Sequence, residues 1–294
     1  MPDTSPVHPD NKLRFDALLP PEMAARAEEV GATKASSDAV SILALGVLGG
    51  AFIGLGAIFS TTVAAGAVAL PYGLARLLIG IAFSLGLILV IVGGAELFTG
   101  NTLIVMAWAS RTVTTGQLLR NWALVYTGNL AGALSLAILM YFARQYEFGK
   151  GAVGLVALDI ANAKVSLDFM QAVALGILCN VLVCLAVWLC FSARSTTDRI
   201  FAIVPPITAF VAAGFEHSIA NMYFIPMGIL IRRGGSGAFW TNSPAKAAAY
   251  GNLTWENFLV RNLIPVTIGN IIGGAVLVGM IYWFIYLRRK SLNQ

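Results

Sequence analysis

The chain has 294 residues, of which 58% are hydrophobic and 11% are charged, and its mean hydropathy is +0.79. Soluble domains carry charge at about a quarter of their positions, so this composition excludes a soluble protein and predicts an integral membrane protein. The formal charge of +5 is spread over predicted loops and tails. Because no basic run is long enough to form a nucleic-acid surface, we expect no nucleic-acid partner.

The N-terminal segment, residues 1–37, is polar and predicts one short amphipathic helix. In the stretch LLPPEMAARAEEVG, Pro20 or Pro21 is placed to open a helix and Gly31 to close it. Two adjacent glutamates interrupt any apolar run, so the segment is not a signal peptide. We expect a cytoplasmic element, with a solvated tail as the alternative.

Six apolar segments follow, each long enough to cross about 30 Å of hydrocarbon at about 1.5 Å per residue. They lie near residues 40–64, 74–110, 116–143, 169–192, 200–231 and 257–287. The second and fifth are too long and too interrupted for plain helices, and their centres read GGAELFTGN and AAGFEHSIAN. Such mixtures of glycine and hydrogen-bonding residues are typical of broken membrane helices. We therefore expect a transmembrane domain over residues 38–288 and a short cytoplasmic tail over 289–294.

The two broken segments belong to an internal repeat. The pattern G-x-E-x4-N occurs twice, at Gly94, Glu96 and Asn101 and at Gly214, Glu216 and Asn221. The following spans share the stricter pattern RN-x6-GN-x2-G, which begins at Arg120 and again at Arg261. Each half contains three crossings, an odd number, so the second copy enters the membrane from the opposite face. This three-plus-three inverted repeat favours broken helices that meet near the midplane with their positive N-terminal ends toward an anion.

Glu216 and His217 lie side by side in the fifth segment, where an unpaired charge costs about 3 kcal/mol. This cost indicates a functional pair, with a helix-packing hydrogen bond as the alternative. By repeat symmetry we expect Glu96 and Glu216 to bond backbone amides that the breaks free, with Asn101 and Asn221 as structural residues beside them. His217 is the sole histidine in a span, so a multi-histidine metal site is excluded.

An even number of spans places both chain termini on the same side of the membrane. The cations on that side belong to short connections and to the tails: Lys12, Arg14, Arg26, Lys34, Arg111, Arg120, Arg194, Arg199, Arg288, Arg289 and Lys290. Because short cytoplasmic loops are enriched in Lys and Arg, we expect both termini in the cytoplasm.

At these residues the chain resembles the formate/nitrite transporter family, and within it the bacterial formate channels. The matching stretches are LLPPEMAARAEE, AELFTGNTLIV, NWALVYTGNLAGA, LGILCNVLVCLAVW, GFEHSIANMYFIPMGI and NLIPVTIGNIIGG, which together cover nearly the whole chain. The resemblance implies an aquaporin-like fold, a homopentamer with a pore in each protomer, a bacterial inner-membrane location and no cofactor.

The resemblance also implies which residues form the pore. The implied substrate pathway contains His217, Thr99, Lys164, Asn180 and Asn270, with Lys164 on the loop before the fourth span. The implied apolar constrictions are Phe83, Leu87, Phe98 and Phe210.

Formate, the substrate implied by the resemblance, has a pKa of about 4 and arrives charged at neutral pH. Lys164 is then a cation at the pore entrance, with a solvated lysine as the alternative. His217 is placed to donate a hydrogen bond or a proton to the carboxylate, since an unperturbed imidazole titrates near pH 6.5. Whether a proton travels with formate is left open by the sequence.

Other functions were weighed against a formate channel. Nitrite or hydrosulfide is the alternative passenger, because both are small monovalent anions with protonated forms. An intramembrane enzyme using Glu216 and His217 as acid and base has no convincing nucleophile nearby, so we expect no enzymatic activity. A receptor or scaffold acting through the N-terminal helix leaves the symmetric broken helices without a function. The resemblance further implies a formate-producing enzyme as a cytoplasmic partner of the N-terminal segment.

Overall fold

The computed structural model describes residues 17–67 and 69–288, and every regular element within those ranges is a helix. The helices are α1 Pro20–Ser36, α2 Ala39–Gly66, α3 Tyr72–Gly93, α4 Phe98–Ala109, α5 Thr115–Phe142, α6 Ala152–Val165, α7 Phe169–Ser192, α8 Thr196–Ala213, α9 Ser218–Gly234, α10 Gly237–Asn242 and α11, residues 255–286. The tail cations Lys12 and Arg14 and the predicted tail over 289–294 lie outside the described residues.

Six spans are confirmed within the described ranges. The helices α2, α3, α5 and α7 and the stretch Ala247–Tyr286, which contains α11, are each long and apolar enough to cross a membrane. The sixth span is the pair α8 and α9, which bends by 51° at its break. The short apolar helix α4 continues from α3 after the other break.

Both breaks are built in the same way, as the repeat predicts. The helix α3 ends at Gly94 with φ 81°, and α8 ends at Gly214 with φ 77°. Left-handed backbone of this kind is readily adopted by glycine and closes the last helical turn. A short extended segment then leads into α4 or α9, and it leaves backbone groups that side chains must satisfy.

Equivalent helix pairs pack within each half, and a third pair joins the two halves. The helix α2 packs along α5, α7 packs along α11, and α3 packs along α8. Glycines allow close approach: a Cβ at Gly50 would lie 2.0 Å from the Asn129 carbonyl oxygen, and one at Gly273 would lie 2.3 Å from the Ile177 carbonyl oxygen. Small residues at helix contacts are the usual way in which membrane helices associate closely.

The N-terminal helix is longer and more firmly docked than predicted. It begins at Pro20 as expected, but it continues through Gly31 to Ser36. Gly31 is a packing position, because a Cβ there would lie 3.3 Å from the Cβ of Ala107 in α4. Met23 and Ala27 are buried, so this stretch is not a solvated tail. The expected domain boundary at residue 37 falls in the turn between α1 and α2.

The helix α6 was not predicted from the sequence, and it is the counterpart of α1. Both helices carry a lysine in or near the last turn, followed by the same short pattern K-x-S-x-D. The two copies are Lys34, Ser36 and Asp38, and Lys164, Ser166 and Asp168. The repeat therefore starts at α1 rather than at the first span, and each half contributes one lysine-bearing helix.

Candidate functional site

Three internal spaces lie in series along α3 and across the breaks. The α1 cavity has a volume of about 220 Å³ and is lined by α1, α3 and the first break. The α6 cavity has a volume of about 230 Å³ and is lined by α3, α6 and the second break. A central chamber of about 10 Å³ lies between them. Leu87 lines the α1 cavity and the chamber, whereas Phe83, one turn earlier, lines the chamber and the α6 cavity.

Buried apolar side chains separate the chamber from both cavities. Leu87 and Leu97 lie on the side of the α1 cavity. Phe83 and Phe210 lie on the side of the α6 cavity, with ring centroids 5.6 Å apart and planes at 83°. The structure thus brings together three of the residues expected at constrictions, Phe83, Leu87 and Phe210.

Phe98 does not lie at a constriction, contrary to the sequence-based expectation. Its ring packs edge-on against Tyr126 at 4.9 Å and Trp122 at 6.0 Å between centroids. The preceding residue, Leu97, has extended backbone and lines the chamber instead. Because successive side chains of an extended segment point in opposite directions, only one of these two neighbours can face the chamber.

His217 provides the polar wall of the chamber and is bonded to Thr99 behind it. Its Nε2 lies 2.9 Å from the Thr99 Oγ1, and both side chains are buried. Its Nδ1 accepts the backbone N–H of Ala220 at 3.0 Å and so caps α9. Because Nδ1 is an acceptor, the neutral ring carries its proton on Nε2 and donates it to Thr99. The ring also stacks on Phe210 with centroids 6.0 Å apart.

Two buried asparagines hold the breaks. Asn129 accepts the first backbone N–H of α4 at 2.9 Å and donates to the Glu96 carbonyl oxygen at 2.9 Å. Asn270 accepts the first N–H of α9 at 2.9 Å and donates to the Glu216 carbonyl oxygen at 3.0 Å. A primary amide is both donor and acceptor, so one side chain satisfies both sides of a break. Asn270, expected in the substrate pathway, is thus occupied by backbone groups.

Asn180 fixes the loop that carries Thr99. Its Nδ2 donates to the Thr99 carbonyl oxygen at 3.2 Å and to the Asn270 carbonyl oxygen at 2.6 Å. Its Oδ1 is buried and has no hydrogen-bond partner among the described residues. The side chain therefore joins the two breaks and keeps one acceptor unused.

At the first break, a lysine of α1 pairs with the buried glutamate. Lys34 Nζ lies 3.1 Å from both carboxylate oxygens of Glu96. Asn101 Nδ2 donates to the same carboxylate at 2.5 Å and to Asn121 Oδ1 at 2.9 Å. Asn121 in turn donates to the Lys34 carbonyl oxygen at 3.1 Å, which closes the network.

The second break repeats this network. Lys164 Nζ donates to Glu216 Oε1 at 2.7 Å, and Asn221 Nδ2 donates to Oε2 at 2.7 Å. Asn262 accepts from Asn221 at 2.7 Å and donates to the Lys164 carbonyl oxygen at 2.9 Å. Lys164 lies in the last turn of α6, not on a loop, and its ammonium is 5.6 Å from the centroid of the Phe224 ring.

These networks correct the expected role of the two glutamates. Within the described residues, the carboxylates of Glu96 and Glu216 receive hydrogen bonds from side chains, not from freed backbone amides. The first amides of the following helices are bound by Asn129 and Asn270, which leaves each carboxylate to pair with a lysine. A buried carboxylate requires such pairing because desolvation penalises its charge.

Sequence reasoning missed Lys34 and Leu97 as site residues. Lys34 was grouped with the tail cations, although its repeat partner Lys164 was singled out. The signal was present in the repeated K-x-S-x-D pattern before α2 and α7. Leu97 had no comparable signal, because its orientation depends on where the extended segment ends.

Comparison with known proteins agrees with this arrangement. The family model described as formate/nitrite transporter matches residues 21–284. The formate channel FocA of Escherichia coli strain K12 is 51% identical over 277 residues, which are 94% of this chain and 97% of that protein. A solved pentameric formate channel with formate bound matches with a TM-score of 0.81 and 48% identity, covering 85% of this chain and 98% of that chain. A solved FNT family ion channel matches with a TM-score of 0.74 and 28% identity, covering 90% and 98%.

Two cavities large enough for water, the buried His217–Thr99 pair between them and an inverted helical repeat define a membrane transport protein. The chain belongs to the formate/nitrite transporter family, because the family model covers most of its length. The resemblance noted in the sequence and the all-helical, aquaporin-like fold are confirmed.

Proposed function

We propose that the chain is a channel that passes formate across the membrane through a pore in each protomer. The observation that carries this proposal is the central chamber, a short apolar stretch interrupted by the His217–Thr99 pair and reached from a lysine-bearing cavity on each side. A space of about 10 Å³ has room for about one water molecule, so only a small passenger that has lost its water shell passes between these side chains. The named function of FocA and of the solved pentameric channel supports formate as that passenger.

The two lysines attract the anion on either side of the chamber. Lys34 faces the α1 cavity and Lys164 faces the α6 cavity. Each is paired with a glutamate, which fixes the position of the ammonium. An arriving carboxylate competes for the remaining donors of the ammonium, so it is held before the apolar stretch.

His217 acts first as a hydrogen-bond donor. Its Nε2–H donates to Thr99 before formate enters the chamber. When formate enters, the Nε2–H donates to a carboxylate oxygen instead, and the Thr99 hydroxyl is free to donate to formate as well. A doubly protonated ring has to release the Ala220 amide from Nδ1. Proton transfer to formate is therefore coupled to the loss of one capping bond, and it is this step that links formate import to a proton.

The remaining site residues have structural or gating roles. Asn180 and Asn270 hold the loops in register, and Asn180 Oδ1 is the free acceptor near Thr99. Phe83, Leu87 and Phe210 exclude hydrated ions from the chamber.

The assembly and location follow the relatives. A homopentamer in the bacterial inner membrane is supported by the solved pentameric channel and by the bacterial FocA relative. Arg120 donates to the Ser37 carbonyl oxygen beside α1, and the short arginine-bearing loops on that side support a cytoplasmic location for both termini. A formate-producing enzyme is then the cytoplasmic partner of the N-terminal segment.

Flux into liposomes tests the proposal. Purified protein is reconstituted and uptake of labelled formate is measured with and without an inward proton gradient. We expect saturable uptake that the gradient enhances. In His217→Asn the side-chain carbonyl retains a cap for α9, since Asn is a preferred N-cap residue, but the donor to Thr99 is lost. We expect this variant to fold and to lose most of the gradient dependence.

Nitrite and hydrosulfide uptake are measured alongside. Fast flux of either with little formate uptake would assign the chain to another passenger of its family. An unchanged pH profile in His217→Asn would remove His217 from the transport step.

A further inference from the structure

Arg76 in α3 carries the only unmatched formal charge among the residues that line the α6 cavity. The other formal charges there are Lys164 and Glu216, whose Nζ and Oε1 are 2.7 Å apart. At distances much longer than the separation of the two groups, their opposite charges cancel. The Lys164–Glu216 ion pair therefore contributes no net charge to this cavity.

Arg76 also contacts the C-terminal end of α8. Its Nε donates to the Ala212 carbonyl oxygen at 3.0 Å, and its Nη2 donates to the Val211 carbonyl oxygen. The C-terminus of a helix carries about half a negative charge, and this end opens toward the α6 cavity at Gly214. Without Arg76, an approaching anion would meet paired charges and a negative helix end.

One donor group of Arg76 remains available. Its Nη1 makes no hydrogen bond with the described residues, and the side chain is half-buried at the cavity wall. Guanidinium remains protonated at any physiological pH and matches a carboxylate in geometry. Arg76 is thus placed both to offset the helix end and to contact a carboxylate.

The α1 cavity lacks an equivalent group. Its lining residues include one pair of formal charges, Lys34 and Glu96, and no third. The helix α3 ends there at Gly94 just as α8 ends at Gly214, yet no side chain among the described residues bonds its last carbonyl oxygens. The two cavities therefore differ by one formal positive charge in their own linings.

We propose that Arg76 is an anion-binding residue that gives the α6 cavity a net positive charge and sets its affinity for the carboxylate anion. This inference rests on the proposed function. It predicts that the anion binds more tightly from the α6 side than it would if the cavity held only the Lys164–Glu216 ion pair.

The test compares Arg76→Gln, which removes the charge, with Arg76→Lys, which keeps it. Formate uptake is measured from each side in liposomes where the orientation of the protein is known. In Arg76→Gln we expect the half-saturating formate concentration on the α6 side to rise about fivefold and to lose most of its dependence on ionic strength. The half-saturating concentration on the α1 side stays unchanged. In Arg76→Lys both values stay near those of the parent.

Arg120→Gln is the matched control, because Arg120 also donates to a backbone carbonyl oxygen but lies outside both cavities. Thermal unfolding of all variants shows whether loss of the cap destabilises the fold. Equal effects of Gln and Lys at residue 76, or no effect of either, would overturn the proposal and leave formate transport intact. A parent protein that carries no formate would instead contradict the proposed function itself.

Discussion

Leu87 and Leu97 lie between the α1 cavity and the chamber, and we propose that they set the width of the pore there. Both are buried, and both line the chamber that holds the His217 ring. Since the chamber has a volume of only about 10 Å³, we expect truncation of either side chain to widen it for larger carboxylates. Selection by size at this point follows from side-chain packing, without any polar contact.

We predict that Leu87→Ala raises the flux of acetate relative to that of formate. The substitution removes the branched end of a side chain shared by the α1 cavity and the chamber. Apolar sites discriminate one methylene group by about tenfold or more, so acetate flux should rise by about tenfold relative to formate flux. The measurement is uptake of both labelled acids into the same liposomes.

Phe98→Ala is the control for this prediction. It removes a larger side chain close in sequence, but one that packs on Trp122 and Tyr126 away from the chamber. It should lower thermal stability without raising acetate flux. Increased acetate flux in Phe98→Ala, or unchanged acetate flux in Leu87→Ala, would contradict the assignment of the constriction to Leu87.

At the scale of helices, each break depends on one asparagine. Asn129 and Asn270 are fully buried and occupy equivalent places in α5 and α11. Each amide satisfies donors and acceptors that the break removes from the helical ladder. The breaks are therefore rigid elements that depend on neighbouring helices rather than flexible hinges.

We predict that Asn270→Asp lowers the free energy of unfolding by about 2–5 kcal/mol. The new side chain keeps an acceptor for the first amide of α9, but it loses the donors to Gly176 and Glu216 carbonyl oxygens. Thermal unfolding in detergent measures the change. Asn129→Asp should give a similar loss because its contacts are equivalent.

Asn257→Asp serves as the control, since Asn257 is only half-buried and its side-chain amide donates to the Asn252 carbonyl oxygen at the surface. It should unfold close to the parent temperature. If Asn270→Asp did the same, the amide donors would not be what holds the break.

The sequence predicts the spans and the breaks well, and the site less completely. Spans follow from long apolar runs, and the breaks follow from Gly94 and Gly214, whose glycine-rich surroundings recur in both halves. The role of His217 was accessible because it is the sole histidine in a span. Partners were not: the pairing of Glu96 with Lys34 joins positions 62 residues apart through the docking of α1. Contacts of this kind depend on tertiary packing, which local patterns do not encode.

At the scale of the whole molecule, the pore lies within one chain. Both lysine pairs, both breaks and the chamber come from residues of a single protomer. Assembly into the proposed pentamer therefore leaves five separate pores.

We predict that flux through mixed pentamers is proportional to the fraction of open protomers. Ala163→Cys places a thiol at the wall of the α6 cavity, where Ala163 is exposed. A bulky thiol-reactive compound then blocks the pore of that protomer. Pentamers assembled from parent and Ala163→Cys chains in known ratios are treated with the reagent and assayed for formate uptake. Independent pores require a straight line against the unmodified fraction.

The parent treated with the same reagent is the control, because Cys179, Cys184 and Cys190 are buried. A loss much steeper than the labelled fraction would indicate one pore shared by all protomers.

The small volume of the central chamber also determines how transport responds to temperature. A space of about 10 Å³ holds about one water molecule, so a carboxylate sheds nearly its entire hydration shell before it reaches His217. Stripping water from an anion has a large enthalpy, whereas diffusion through a wide aqueous pore has a small one. Formate flux should therefore rise steeply on warming, and Leu87→Ala, by letting water remain with the ion, should flatten that rise.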